Sequence, residues 1–401
     1  MAYYKKESWW ASPYNDVEEV MTKARPKQKV VIHDATLRDG EQTPGVVFSV
    51  EDKLKIAEKL VEAGITRIEA GMPAVSPDDF TAVRNISSAF PKVEVYAFAR
   101  AMKKDVDMAC DAGASGVVIE TPIGYPKLKY QFGWTWENVL EKSVDAISYA
   151  RGRGLKTVLF PYDTTRARLE DLENLISGVM EAAPPDSIGV VDTMGCALPQ
   201  TIDYLVRRVK KLTGGLCVEV HSHNDFGMAV ASELAGIAAG ADVIHACVNG
   251  LGERTGNAAL EELVQAMEIL LGIDNGYDMK TLLSLCGLVE ELSGVPTAPN
   301  KPFCGRRNYV RESGIGVDMV MKYPLAMFAT NPEYFNRKAE IALGKKSGKA
   351  SVAYYLDQLG LTAGEEQEAE ILAEVKSAGI RKKGLLNVGE FRTIVNHVCG
   401  I

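Results

Sequence analysis

Leu216-Cys-Val-Glu-Val-His-Ser-His-Asn-Asp225 joins an apolar, β-branched run to two histidines spaced two residues apart. The run reads as a strand, and Gly227-Met-Ala-Val-Ala-Ser232 after it reads as a helix start. On a strand, residues i and i+2 face the same side, so His221 and His223 can hold one ion together. Imidazole suits that task near neutral pH because its nitrogen is free without a large pKa shift. A lone His-x-His pair is also an ordinary surface feature, so the reading depends on what surrounds it.

Working outward, the same strand–helix unit recurs. Strands are expected at Val30–His33, Thr66–Ala70, Val93–Phe98, Gly116–Glu120, Lys156–Phe160, Ser187–Val191, Leu216–His221 and Asp242–Val248. Helical stretches such as Val50–Ala63, Asp78–Phe90, Glu137–Arg151, Leu169–Ala183, Thr201–Leu212 and Leu260–Leu271 separate them, with Ser49 and Ser76 placed as caps. Eight such units within residues 29–272 predict an α/β fold, a (β/α)8 TIM barrel. An open doubly wound sheet fits less well, since no G-x-G-x-x-G follows the first strand. Past residue 272 the alternation stops. Lys280–Ser293 reads as helix, Val295–Gly305 is Pro-rich, and helical pieces follow at Asp318–Tyr323, Ser351–Gly360, Gly364–Ala378 and Val388–Cys399. The expected organisation is an N-terminal extension over 1–28, a barrel over 29–272, and a linker with a small, mostly helical C-terminal subdomain over 273–401.

Composition sets the outer bounds. A net charge of −8 argues against nucleic-acid and anionic-membrane partners. Seven scattered cysteines without C-x-x-C spacing suit reduced thiols, and no run reaches membrane-spanning length, so a cytoplasmic location is expected. Trp9 and Trp10 are expected to dock on the body or on a neighbouring subunit.

On a barrel, chemistry collects at the strand C-termini. Polar residues fall there: Asp34 to Gln42, Glu69, Arg100, Glu120 and Thr121, Asp192 and Thr193, His221 and His223, and Asn249 to Asn257. In Asp34-Ala-Thr-Leu-Arg-Asp-Gly-Glu-Gln42, Asp39 can add an oxygen ligand to the histidine pair, and Arg38 can hold a developing oxyanion. Asp-Gly is also a common turn. In Asn249-Gly-Leu-Gly-Glu-Arg-Thr-Gly-Asn257, three glycines allow close backbone approach to a ligand, and Asn257 offers either a further ligand oxygen or a helix cap.

Together, these three stretches resemble the DRE-TIM metallolyase family, whose name comes from its D-x-T-L-R-D-G-x-Q loop. These metal-dependent barrels make or break C–C bonds at acyl-CoA carbons. Members include isopropylmalate, homocitrate, citramalate and Re-type citrate synthases, and hydroxymethylglutaryl-CoA lyase. The resemblance implies a divalent ion on Asp39, His221 and His223, with Asn257 contributing, and acyl-CoA as cosubstrate. The ion would be Mg²⁺ or Mn²⁺ ahead of Zn²⁺. It places Arg38 at the carbonyl oxygen of a 2-oxo acid and Thr193 at its carboxylate, with Glu41 and Gln42 lining the site. Glu69, Arg100 and Glu253 are further substrate-binding candidates.

The Gly252–Asn257 loop is similar to that of the condensing synthases; the lyases carry a cysteine there, near the place of Glu253. Leu343-Gly-Lys-Lys-Ser-Gly-Lys349 is also synthase-like. Two stretches depart from the pattern. Arg311-Glu-Ser-Gly-Ile-Gly316 stands where synthases have H-x-S-G-I-H, and Phe160-Pro-Tyr-Asp-Thr-Thr-Arg166 stands where they have F-S-P-E-D-A-x-R. Candidates for the displaced base are Tyr162, Asp163, Glu253 and Glu312. The resemblance implies a Claisen-type condensation of an acyl-CoA with a 2-oxo acid to a 2-hydroxy-dicarboxylate, in a homodimer or larger homo-oligomer. The alternatives are C–C cleavage in the reverse sense and a non-catalytic paralogue that binds a 2-oxo acid.

Overall fold

The apolar runs of the sequence form strands because helices cover them on one side and the barrel closes on the other. In the computed structural model, residues 3–25, 29–274 and 276–400 are described. Residues 1–2 and 26–28 of the expected N-terminal extension lie outside them. Eight parallel strands close into one barrel: β1 Val31–Asp34, β2 Arg67–Glu69, β3 Glu94–Arg100, β4 Gly116–Pro122, β5 Lys156–Tyr162, β6 Ser187–Asp192, β7 Cys217–Ser222 and β8 Val243–Ala246. β8 pairs with β1, with His245 opposite His33.

Helices α1 Val50–Glu62, α2 Pro77–Ala89, α3 Lys103–Asp111, α4 Trp136–Gly152, α5 Leu169–Ala182, α6 Pro199–Leu212, α7 Ala229–Ala239 and α8 Leu260–Ile269 follow the strands in turn. Ser49 caps α1 in a reciprocal box with Asp52, and Ser76 caps α2 ahead of Pro77. The Lys127–Phe132 segment forms a π-helical turn that the sequence pattern did not suggest.

β3, β4 and β5 run two residues beyond their expected ends. Thr121 pairs with Pro161 and Pro122 with Tyr162. Near a strand end the missing N–H of proline costs little. The extension puts Arg100, Glu120 and Phe160 in register across three strands. Glu120 lies two residues past Val118 and Tyr162 two past Phe160, so both follow the barrel-interior cluster of Tyr96, Phe98, Val118, Val158, Phe160 and Val191.

The chain divides into two compact units, Tyr14–Thr297 and residues 1–13 with 298–401. The break falls later than residue 272 because helix α9, Met279–Ser293, packs against α1. The first residues belong to the second unit: Trp9 is buried edge-on to Tyr334, and Trp10 N–H donates to the Ala329 carbonyl. That unit is mostly helical. α10 Lys349–Gln358, α11 Glu365–Lys382 and α12 Val388–Cys399 enclose Leu343, Val352, Leu356, Ile371, Val375, Leu386, Phe391 and Val395. Among the described residues, no helix is long and apolar enough to cross a membrane.

Candidate active site

The loop after β1 is stapled before it can carry chemistry. Asp34 accepts from the Thr36 backbone N–H (3.0 Å) and hydroxyl (2.9 Å), and the Thr36 hydroxyl oxygen accepts from Val248 N–H (2.8 Å). The D-x-T of the motif thus ties the β1 loop to the β8 loop. The N–H groups of Arg38, Asp39 and Gly40 all converge on the Ala35 carbonyl, which turns Arg38 and Asp39 into the barrel mouth.

Asp39, His221 and His223 meet there, all buried. Asp39 Oδ2 is 3.2 Å from His221 Nε2 and 3.8 Å from His223 Nε2, and the two Nε2 atoms are 3.3 Å apart. Three lone-pair donors packed this closely suit a cation. Two atoms support that fit: Asp39 Oδ1 and Asn257 Oδ1 are buried with no hydrogen-bond partner among the described residues. Asn257 is bridged to His223 through the backbone, and its amide N–H donates to the Leu251 carbonyl (3.0 Å), leaving its oxygen free. Burial pushes the Asp39 carboxyl up, but Arg38 and the two imidazoles outweigh it and hold the group well below the usual range. Burial lowers both histidines, His223 to about 4, against the pull of Asp39. The trio is therefore an ionised carboxylate with two neutral imidazoles, a ligand set in its binding form.

Arg38 is clamped. It donates to Glu69 Oε1 (2.9 Å) and Oε2 (3.2 Å), to Asp39 Oδ2 (3.1 Å) and to Gln42 Oε1 (3.5 Å), and it lies 4.2 Å over the Phe98 ring. Of five guanidinium donors, one is left for a substrate oxygen. Glu69 is fully buried between Arg38 and His33, so it positions Arg38 and has no oxygen to offer a substrate.

Glu41 also departs from expectation. One oxygen accepts from Phe48 N–H (2.8 Å) and the other pairs with Lys53 (2.6 Å), anchoring the loop to α1. Asp163 sits in the left-handed region (φ +62°), fully buried, with both oxygens on Arg166 at 2.8 Å. Neither carboxylate is placed to act as a base. Glu253 is exposed beside Arg254, and Glu312 accepts from Lys346 N–H (3.0 Å) in the second unit. Thr193 Oγ1 accepts from Asp163 N–H (2.7 Å), leaving its own O–H to donate.

Arg100 and Tyr162 line one cavity of about 510 Å³ with Glu120, Thr121, Phe132 and Trp134. Arg100 is bound bidentate to Asp105 (2.7 and 3.0 Å). Burial raises the Tyr162 hydroxyl, so it stays protonated. Glu120 was not assigned a role from the sequence, although it stood at the end of the fourth strand. Burial pushes its carboxyl up to about 7 against the pull of Arg38, with the Asp39 and Glu69 charges adding to the rise. The signal was positional: an acid at a barrel strand's C-terminus, in phase with interior residues. The three loop glycines serve the loop itself. A Cβ at Gly252 would meet Asn257 Nδ2 at 2.2 Å, and one at Gly256 would meet the Gly250 carbonyl at 1.8 Å.

A parallel eight-stranded barrel with a two-histidine, one-carboxylate cluster at its mouth defines the class. Residues 29–289 match the HMGL-like family model and residues 303–383 the homocitrate synthase post-HMGL domain-like model. This chain belongs to the HMGL-like family. It is 39% identical to the homocitrate synthase AksA of Methanocaldococcus jannaschii over 401 residues, covering 99% of this chain and 96% of the relative. It is 42% identical to a probable 2-isopropylmalate synthase of Ignicoccus hospitalis, covering 88% of each. It is 41% identical to a putative (R)-citramalate synthase of Archaeoglobus fulgidus, covering 93% and 76%. A solved structure of Bacillus subtilis HMG-CoA lyase superposes with a TM-score of 0.61 at 21% identity, covering 68% of this chain and 96% of that one, a likeness of fold.

Proposed function

We propose that this protein condenses an acyl-CoA, acetyl-CoA in the first instance, with a 2-oxo acid, and that water then cleaves the thioester of the adduct to give a 2-hydroxy-dicarboxylate and free CoA. The convergence of Asp39, His221 and His223 beside the clamped Arg38 carries this reading. The synthase names of its relatives support the condensing sense over cleavage. Asp39, His221, His223 and Asn257 Oδ1 would hold the ion, Mg²⁺ or Mn²⁺ before Zn²⁺, since half of this set is oxygen. When bound, the ion supplies Lewis-acid polarisation of the keto carbonyl, worth several kcal/mol.

The chain's own residues do the rest. Arg38, unable to move, presents a fixed charge where negative charge develops. The Thr193 O–H donates to the 2-oxo acid's carboxylate. Glu120 takes the proton from the acyl carbon; a carboxylate whose affinity for protons is matched to neutral pH is suited to that step. Tyr162, protonated in the same cavity, donates to the thioester oxygen.

The test is a panel of 2-oxo acids with acetyl- and propionyl-CoA, with free CoA read by a thiol reagent. Release that needs both the 2-oxo acid and a divalent ion is expected. No release from any pair would overturn the proposal. Production of acyl-CoA from hydroxyacyl-CoA esters, or of pyruvate from 2-hydroxy acids, would favour the lyase.

A further inference from the structure

We infer that His245 is a positioning residue that fixes the tautomer of His221 and links it to the buried carboxylate of Glu219. This rests on the reading of His221 as an ion ligand. His221 turns Nε2 toward Asp39 and His223, and its other nitrogen, Nδ1, faces His245 Nδ1 at 3.3 Å. The far side of His245, Nε2, is 2.8 Å from Glu219 Oε2. All three side chains are buried.

The proton positions follow from both ends of this row. Glu219 is acceptor-only: Arg67 donates to its Oε1 at 2.8 Å and so does the Ser187 hydroxyl. His245 Nε2 must therefore carry the hydrogen that points at Oε2. Two Nδ1 atoms at hydrogen-bond distance share a single hydrogen. A neutral His245 with its hydrogen on Nε2 has a lone pair on Nδ1, so His221 is the donor. At the other end, a ligand that binds through Nε2 has its hydrogen on Nδ1. The two arguments place the same hydrogen on the same atom.

The usual outer partner of a metal-bound histidine is a carboxylate or carbonyl in direct contact. Here a second imidazole is interposed. His245 is held in plane by the stacked ring of His33, with centroids 4.2 Å apart and planes 16° apart. His33, Glu219 and His245 also lie close enough to suggest a second ion site. The Arg67 guanidinium already neutralises Glu219 there, so the row acts as a relay to His221.

The test uses the full chain labelled with 15N-histidine. Long-range 1H–15N correlation of the Mg²⁺-loaded protein, at about pH 8, above the usual imidazole range, should show His221 protonated on Nδ1 and His245 on Nε2. Mn²⁺ titration calorimetry should show His245→Phe binding 10–100-fold more weakly than wild type, the range for a lost outer partner. His245→Gln should stay within about threefold, since its carbonyl can accept from His221 and its amide can donate to Glu219. Three results would overturn the relay: His221 protonated on Nε2, full Mn²⁺ affinity in His245→Phe, or equal losses in both variants. A wild-type protein that binds no divalent ion would sink the condensing reading, while the metal-free spectrum would still test the His245–Glu219 half of the row, which requires His245 protonated on Nε2.

Discussion

His223 is the residue whose placement is hardest to explain without an ion. Its ring is buried, its Nδ1 has no partner among the described residues, and its Nε2 faces His221 and Asp39. A neutral imidazole buried in this way costs stability and returns little. Replacing it by alanine should therefore separate function from folding. We expect His223→Ala to lose more than the roughly 100-fold in Mn²⁺ affinity that marks the loss of an outer partner. Its metal-free stability should stay within about 1–2 kcal/mol of wild type, as judged by urea unfolding. Glu120 gives the complementary case. Glu120→Gln keeps the shape of the cavity and removes the base. Turnover should fall by about 10²–10⁴-fold with Mn²⁺ affinity retained. The acid limb of the wild-type rate profile, expected at about 7, should vanish from the residual activity. An unchanged profile would move the proton transfer to another group.

At the scale of elements, the loop after β8 shows how a chain makes a rigid site from flexible residues. Gly252 and Gly256 adopt φ of +146° and +83° and let the loop fold onto Asn257 and Gly250. Gly256→Ala places a methyl group against a backbone carbonyl that has no room to retreat, in a backbone region that alanine disfavours. A loss of about 1–3 kcal/mol in urea unfolding is expected, with weakened Mn²⁺ binding because Asn257 moves. Unaltered binding would show that Asn257 is dispensable.

The eight strands were legible from local periodicity, the caps at Ser49 and Ser76 from residue type at a helix start, and His221 and His223 from strand parity, while Asp39 was read from its loop motif and the family resemblance. Part of what could not be read was set by neighbours distant in sequence: Glu41 is drawn to Lys53 and Glu69 to Arg38 by tertiary charge pairing. Asp163 is a local case, held by Arg166 three residues on through a left-handed backbone conformation that the residue pattern does not mark. The two-residue extension of β4 and β5 depends on pairing across the sheet, which no single strand's sequence reveals. The extension of β5 carries Tyr162 into the cavity that Glu120 lines.

Across the whole molecule, the barrel and the helices around it bury titratable groups of opposing kinds, and their balance predicts the response to acid. Burial raises Asp34 and Glu120 to about 7, and raises Glu233 as well. These acids bind protons in the folded state first, so acidification from neutral pH favours the fold through them. Burial also lowers His33 and His221, and takes His223 and His245 to about 4. These bases gain protons first in the unfolded chain, so the same acidification opposes the fold. The two sets oppose each other, so the metal-free melting temperature should change less between about pH 7 and 5 than it does in stronger acid. Below about 4 the sign is no longer contested, because Asp39, Glu69 and Glu219 are depressed by Arg38, Arg67 and the imidazoles despite burial, Glu69 to about 2. Their stabilisation is complete above the unfolded carboxylate range and is lost as pH falls through the folded values, so the melting temperature should drop steeply there. Saturating Mg²⁺ should change the shape of this curve as well as its height. Protons compete with the ion for His221, His223 and Asp39, so the gain in melting temperature over the chelated protein should be full at neutral pH and shrink as pH falls. A gain that persists undiminished into acid would place the ion on ligands other than these.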